Sequence, residues 1–319
     1  MPEASDCPTF SFELYPPRDA AAEAALYQNL GALVAAGPEF ISVTYGASGS
    51  SRDRSLGVLG HLLRETDVRP MAHLTCVGTS YAEAADLIRE FLDAGVRSFL
   101  ALRGDPPAGT RHEDLVLGDL GSAGELVQLI HRVQEERSPF TETPVPGFPG
   151  ARRLRSGEKV TIAVAAFPNG HPRSRSGSQD IDTLLAKEAA GANLAITQLF
   201  FDADHYLGFV QRARAAGVTL RILPGIMPVT SAARLRRIVE LTDERMPRTL
   251  LARLESADDP GRVGIDHAVA LSRRLLDGGA PGLHLYTFNR SAAPLAVLRE
   301  TGLLPAMSAF PPAPVQELA

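Results

Sequence analysis

Lysine and cysteine are nearly missing from this chain of 319 residues: of 32 basic residues only Lys159 and Lys187 are lysines, and the cysteines are Cys7 and Cys76. Two thiols so far apart in sequence give neither a disulfide framework nor a CxxC metal site. Cys76, just past an apolar run, reads as a packed thiol, because cysteine is among the most buried residue types. No stretch reaches the roughly eighteen consecutive apolar residues of a membrane span. The segment Met1–Asp6 has neither the basic nor the apolar region of a secretory signal. A soluble cytoplasmic protein with no membrane partner is therefore expected. The formal net charge of −5 removes any whole-chain attraction to nucleic acid, leaving small anions as ligands of local sites. No set of His, Cys, Asp and Glu has metal-ligand spacing, and no metal is expected.

What the chain does have is rhythm. Eight short apolar runs end at or just before polar or loop-forming residues: Phe10–Glu13, Phe40–Thr44, Arg69–His73, Ser98–Arg103, Val160–Ala165, Leu194–Gln198, Arg221–Pro224 and Leu283–Tyr286. All but the first follow a helical stretch. Helical periodicity over Asp19–Ala36 stops at Gly37-Pro38, over Ser80–Ala94 at Gly95, over Asp180–Ala190 at Gly191, over His205–Ala216 at Gly217 and over Val263–Asp277 at Gly278-Gly279. Parallel strands joined by helices are covered on both faces and read as continuous apolar runs, as most of these do. Eight such units predict a single-domain α/β fold, a (βα)8 or TIM barrel, with its chemistry at the C-terminal ends of the strands.

One interval breaks the pattern. After a helix over Ser122–Glu136, the stretch Ser138–Lys159 is rich in Pro, Gly and Arg and lacks helical or strand periodicity. It is expected as a surface insertion between the fourth and fifth barrel strands, with Arg152-Arg-Leu-Arg155 as a solvated face. The barrel is expected over 1–304 and a poorly ordered tail over 305–319. With so short a tail, no regulatory domain is expected after the barrel.

The strand ends gather Glu13; Thr44 and Tyr45; His73 and Thr75; Arg103, Gly104 and Asp105; Phe167 and His171; Gln198; Met227; and Tyr286, Asn289 and Arg290. Glu13 sits among apolar and proline neighbours in Phe12-Glu-Leu-Tyr-Pro-Pro17, where desolvation favours the protonated carboxyl and keeps it available as an acid. A strand-end Glu that merely accepts hydrogen bonds from the next loop reads equally well. In Leu102-Arg-Gly-Asp-Pro-Pro107 opposite charges flank a glycine that admits a ligand close to the backbone; the loop either holds a flat heteroaromatic ring or is tied down by its own charges. His73 in isolation reads as a core histidine, and Gln198 as an amide bonded to a ligand or to neighbouring backbone. Two chemistries drop out. A Schiff-base aldolase needs a strand-end lysine, yet Lys159 precedes a strand and Lys187 lies within a helix; a dinucleotide-binding Rossmann domain needs a Gly-rich turn that Glu13–Asp19 lacks.

Together Phe10-Ser-Phe-Glu-Leu-Tyr-Pro-Pro17, Ser42-Val-Thr-Tyr-Gly-Ala47 with Arg52-Asp-Arg54, Ala72-His-Leu-Thr-Cys76, Leu102-Arg-Gly-Asp-Pro-Pro107, Ala192-Asn-Leu-Ala-Ile-Thr-Gln198 with Phe200-Phe-Asp202, Pro224-Gly-Ile-Met-Pro228 and Tyr286-Thr-Phe-Asn-Arg290 resemble the methylenetetrahydrofolate reductase family. The segments follow the family's order and span the whole barrel. The resemblance implies reduction of 5,10-methylenetetrahydrofolate to 5-methyltetrahydrofolate by NADH or NADPH, through FAD, in a ping-pong reaction. It implies Glu13 as the general acid that opens the methylene bridge and Asp105 as the carboxylate that steadies the pterin's positive charge. Folate contacts fall on Glu13, Asp105, Gln198, Arg234 and Arg290, the last suited to the anionic glutamate end. FAD contacts fall on Thr44, Tyr45, Ala47, His73, Leu102, Arg103, Gly104, Asp105, Ala123, Phe167, His171, Asp180, Thr183 and Lys187. Members of the family often assemble, so a homo-oligomer is compatible with the resemblance.

The chain also departs from the bacterial pattern. Ser122 stands for a tyrosine, Phe167-Pro-Asn169 for Tyr-Pro-Glu, Thr183 and Ala186 for an Asn and an Arg, Arg234 for a glutamine and Ile238 for an aromatic. A charged contact to phosphate contributes about 1.5–3 kcal/mol, so these losses predict weakened FAD binding. Flavin-free transfer of hydride from NAD(P)H straight to the folate is the second reading, and a folate- or nucleotide-binding barrel without turnover the third.

Overall fold

The computed structural model describes residues 7–45, 49–104, 118–137, 141–144, 152–155 and 159–305. Eight parallel strands close a barrel: β1 (Thr9–Leu14), β2 (Phe40–Val43), β3 (Arg69–Thr75), β4 (Ser98–Leu102), β7 (Thr161–Ala166), β8 (Leu194–Leu199), β9 (Arg221–Ile226) and β10 (Gly282–Tyr286), in the order β1-β10-β9-β8-β7-β4-β3-β2. Each barrel strand thus lies beside its neighbours in sequence, and the ring of helices forms outside. The expected (βα)8 barrel is the observed fold.

The helices are α1 (Ala20–Ala35), α2 (Gly49–Glu65), α3 (Tyr81–Asp93), α4 (Ala123–Arg137), α5 (Gly177–Ala189), α6 (Ala203–Ala215), α7 (Ala232–Thr242), α8 (Arg248–Ser256), α9 (Pro260–Asp277) and α10 (Ala292–Glu300). Their starts are set by side-chain caps: Asp19 accepts from Ala22 N at 2.8 Å, and Ser80 with Glu83 forms a reciprocal capping box. Their stops follow the predicted glycines. Gly95, Gly191 and Gly217 have φ of +97°, +108° and +96°. In each the next residue's N–H reaches back into the last turn, as Val96 does to Phe91 O at 2.9 Å, so the chain leaves for a strand with its orphan carbonyls satisfied.

The insertion is not structureless. Thr141–Pro144 (β5) and Arg152–Arg155 (β6) pair antiparallel as a two-stranded sheet apart from the barrel. Thr-Glu-Thr-Pro and Arg-Arg-Leu-Arg carry no apolar alternation, so the periodicity on which strand prediction rests was absent there. Residues 306–319, Ala47 and Asp105 lie outside the described residues. Among the described residues no helix is long and apolar enough to cross a membrane, and no group of three or more His, Cys, Asp or Glu side chains could hold a metal ion.

An apolar layer separates the two ends of the barrel. Phe40, Met71, Leu100, Ala163, Leu194, Ile196 and Leu223 fill the interior as one apolar cluster. At the N-terminal rim Arg221 forks onto Glu39 at 2.8 and 2.6 Å, and Thr9 donates to the same carboxylate at 2.6 Å. Burial alone would raise the Glu39 pKa; these bonds outweigh it and lower it. The opposite rim carries the polar groups.

Candidate active site

The mouth is built around Glu13. It stands on β1 at 6% exposure, opposite Tyr286 of β10, while Ser11 stands opposite His284. Inward-facing positions on paired strands alternate with outward ones, so Ser11, Glu13, His284 and Tyr286 line one wall. The imidazole of His73 on β3 comes within 3.6 Å of Glu13 Oε2 and that of His284 within 3.7 Å. The Tyr15 phenol lies near the same carboxylate; its pKa is raised by burial and then by Glu13, as is that of Tyr286. Tyr286 donates to Thr197 O at 2.9 Å. Both tyrosines therefore remain neutral donors.

His73 is wholly enclosed, and burial pushes its pKa down to about 4, despite the pull of Glu13. A histidine that is neutral in the fold but protonates near 6.5 when unfolded makes the unfolded chain bind more protons between those values. Stability is then complete above pH 6.5 and is lost as pH falls toward 4, by about 3 kcal/mol for the full shift. A plot of thermal midpoint against pH should fall across that window and flatten in His73→Gln.

The loop after β10 frames the acid from above. Phe288 and Asn289 have φ of +51° and +58°, a left-handed conformation costing on the order of 1–3 kcal/mol each outside glycine. The site uses that turn. Asn289 clamps the backbone of Tyr15, accepting from its N at 2.8 Å and donating to its O at 2.9 Å, and Thr287 donates to Glu13 O at 2.7 Å. Phe288 stacks on Tyr15 at 5.6 Å, and the Arg234 guanidinium of α7 sits 5.1 Å over Phe288. Burial first and Arg290 second lower the Arg234 pKa, so two cations face this edge; neither has an acidic partner among the described residues. Gln198, at the end of β8, accepts from Leu199 N at 3.0 Å, while its amide nitrogen has no partner among the described residues. Met227 and the half-buried Tyr286 close the wall.

A second polar cluster lies between β4, β7 and α5. Arg103 and Gly104 follow β4; Gly104 has φ of +88°, and a Cβ there would come within 2.9 Å of Val77 and 3.0 Å of Thr75. Lys187 donates to Ala165 O at 2.8 Å. Burial, with Arg103 nearby, brings its pKa down to about 8 against the opposing pull of Asp180. Asp180 itself accepts from His171 N at 3.2 Å and Ser174 Oγ at 2.6 Å, while its buried Oδ2 is without a partner among the described residues. His171 packs edge-on against Phe167 at 4.7 Å, and burial lowers its pKa. Ala123 opens α4 at 7% exposure, and Thr44 and Tyr45 follow β2, where Tyr45 meets Phe91 edge-on at 6.1 Å. Leu102 packs against the interior cluster.

The predicted residues thus fall into two adjoining groups. Glu13, His73, Gln198, Arg234 and Arg290 surround the mouth, and Leu102, Arg103, Gly104, Phe167, His171, Asp180 and Lys187 form the cationic flank. Thr183 differs: it is exposed on α5, and its hydroxyl donates to Gln179 O of its own helix at 2.7 Å. Cys76 is fully buried, its thiol facing carbonyls of Leu102, Arg103 and Ser122. Sequence reasoning missed Ser11 and His284. The signal was present in Phe-Ser-Phe-Glu-Leu and Leu-His-Leu-Tyr, where polar residues recur with period two inside strands that should be apolar throughout.

Known proteins resemble this chain in sequence and in fold. The family profile "Methylenetetrahydrofolate reductase" matches residues 2–302. The 5,10-methylenetetrahydrofolate reductase of Escherichia coli (strain K12) is 31% identical over 301 residues, covering 93% of this chain and 92% of that protein. A probable methylenetetrahydrofolate reductase (NADH) of Oryza sativa subsp. japonica is 32% identical over 308 residues, covering 92% of this chain and 48% of the longer relative. Among solved structures, a protein from Clostridium thermocellum described as binding two copies of 5-methyl-5,6,7,8-tetrahydrofolic acid shares the fold, with a TM-score of 0.60 at 10% identity over 92% of this chain and 94% of that one. By profile and by identity across its length, the chain belongs to the methylenetetrahydrofolate reductase family.

Proposed function

We propose that this barrel reduces 5,10-methylenetetrahydrofolate to 5-methyltetrahydrofolate with NADH or NADPH as the reductant. The observation that carries the reading is a buried carboxyl, Glu13, at the centre of a mouth in which its neighbours His73, Tyr15 and Tyr286 are held neutral. In the substrate a methylene carbon bridges two nitrogens. One carbon–nitrogen bond must break before hydride can add, and the departing nitrogen needs a proton. Glu13 supplies it, leaving a cationic iminium carbon that accepts hydride. Asp105, directly after the Gly104 turn in sequence, is the carboxylate assigned to offset that positive charge. Gln198 orients the pterin edge, and Arg234 with Arg290 receives the anionic tail of the folate.

FAD fits the cationic flank. Arg103 and Lys187 suit its two phosphate charges, His171 offers a neutral ring donor, and Asp180 Oδ2, without a partner among the described residues, is an acceptor ready for a ligand hydroxyl. Thr44, Tyr45, Ala47, His73, Leu102, Gly104, Ala123 and Phe167 complete the residues that would hold it. Thr183, turned onto its own helix, does not strengthen that hold. When bound, the flavin relays hydride from the nicotinamide to the folate.

The test is oxidation of NADH and of NADPH by the purified protein with methylenetetrahydrofolate, with and without added FAD, and identification of 5-methyltetrahydrofolate as product. Turnover that depends on flavin supports the relay, while turnover by flavin-free protein assigns direct transfer. No folate-dependent oxidation under either condition overturns the reductase reading.

A further inference from the structure

Two buried imidazole nitrogens beside the acid lack hydrogen-bond partners among the described residues: Nε2 of His73 and Nε2 of His284. A ring nitrogen left unpaired inside a protein costs free energy, and its retention calls for a state in which it is paired. Both aim at Oε2 of Glu13, at 3.6 and 3.7 Å. His284 is the more constrained. It has no solvent exposure, stacks on Phe40 at 5.8 Å, meets Tyr286 edge-on at 5.4 Å, and places Nδ1 2.8 Å from Ser11 Oγ.

The Ser11 contact fixes the tautomer. Ser11 is wholly buried, and among the described residues its hydroxyl has no side-chain partner other than this ring. A buried hydroxyl hydrogen needs an acceptor, so Ser11 donates, Nδ1 accepts, and the ring proton resides on Nε2, facing Glu13. We propose that His284, locked in this tautomer by Ser11, is a positioning residue for the acid: its Nε2–H receives the charge that develops on Glu13 as the proton leaves.

The inference rests on the reductase reading and deepens it. During the step the proton passes from Glu13 to the departing folate nitrogen, the electron pair of the broken carbon–nitrogen bond stays on that nitrogen, and Glu13 becomes a carboxylate. His284 neither gains nor loses a proton. At 3.7 Å its N–H is too far from a neutral carboxyl for a hydrogen bond; contraction as the oxygen becomes anionic makes the bond charge-assisted. An interaction stronger after proton loss than before it accelerates the step instead of merely tightening binding. Among the described residues the titratable groups that face Glu13 are His73 from β3, Tyr15 beyond β1, and His284 and Tyr286 from β10; none of these brings a fixed cation, so donors carry the stabilisation.

The experiment compares His284→Asn, His284→Gln and Ser11→Ala in the full-length protein by the pH dependence of folate reduction. Asn reproduces the Nδ1 side of the ring and has nothing at Nε2, whereas the longer Gln can return an N–H to that place. With the donor gone, Glu13 keeps its proton to higher pH. The alkaline limb of kcat should move up by about one unit in His284→Asn and kcat at the optimum fall roughly tenfold, with most of both restored in His284→Gln. Ser11→Ala should shift the limb the same way by less, with folate binding intact. Combining Glu13→Gln with His284→Asn should be no slower than Glu13→Gln alone. Equal behaviour of the Asn and Gln variants, an unmoved limb in both His284→Asn and Ser11→Ala, or additive losses in the double variant would overturn the proposal. Near-normal turnover in Glu13→Gln alone would instead remove the acid itself.

Discussion

Glu13→Gln should abolish folate reduction, lowering turnover by roughly 10²–10⁴-fold, the range a positioned acid contributes, while 5-methyltetrahydrofolate still binds. The amide has the volume of the carboxyl and can bond to Tyr15, so the packing of the wall survives; what disappears is the transferable proton. Removal of an interaction used only as the bond breaks lowers kcat and kcat/KM together. Steady-state nicotinamide oxidation gives both kinetic quantities, and calorimetric titration with 5-methyltetrahydrofolate gives the affinity. Turnover within tenfold of the parent would end the role assigned to Glu13. A parallel loss of folate affinity would make it a binding residue.

The barrel was legible because five of its strands announced themselves twice, by an apolar run and by a glycine at the preceding helix end (Gly37, Gly95, Gly191, Gly217 and Gly278). Gly95, Gly191 and Gly217 adopt the left-handed turn that a stop signal requires. Strand positions at the mouth were legible for the same reason: Glu13, His73 and Gln198 close or nearly close their runs. Contacts formed across the barrel were not. Ser11 and His284 are 273 residues apart and meet only because β1 closes onto β10, and no local pattern encodes that pairing. The neutrality of His73 is likewise a product of enclosure. The β5–β6 pair escaped because its strands hold together by backbone hydrogen bonds, with no apolar face to betray them. Helix α8 escaped too, at nine residues in a polar stretch.

Gly264→Ala should destabilise the protein by several kcal/mol, although the same exchange in most helices stabilises. Glycine within a helix costs about 1 kcal/mol relative to alanine, so propensity alone favours the substitution. Contact decides the sign. A Cβ at Gly264, in the first turns of α9, would lie 1.8 Å from Val229 O and 2.6 Å from Val229 C. Backbone atoms cannot swing aside as a side chain does, so α9 or the segment after β9 must shift. That segment ends in Ser231, whose Oγ caps α7 by accepting from Arg234 N at 3.2 Å, and α7 presents Arg234 to Phe288 at the mouth. Overpacking costs about 1–3 kcal/mol where neighbours can yield, and more where they cannot. Gly31 supplies the control: it is exposed on α1 with nothing within 4 Å of a Cβ, so Gly31→Ala should gain roughly 0.5–1 kcal/mol. Thermal denaturation reads both, the midpoint rising slightly for Gly31→Ala and falling by about 5 °C or more for Gly264→Ala. A rise in both would mean that α9 approaches Val229 less closely than its backbone places it, and the route from that helix to Arg234 would fall with it.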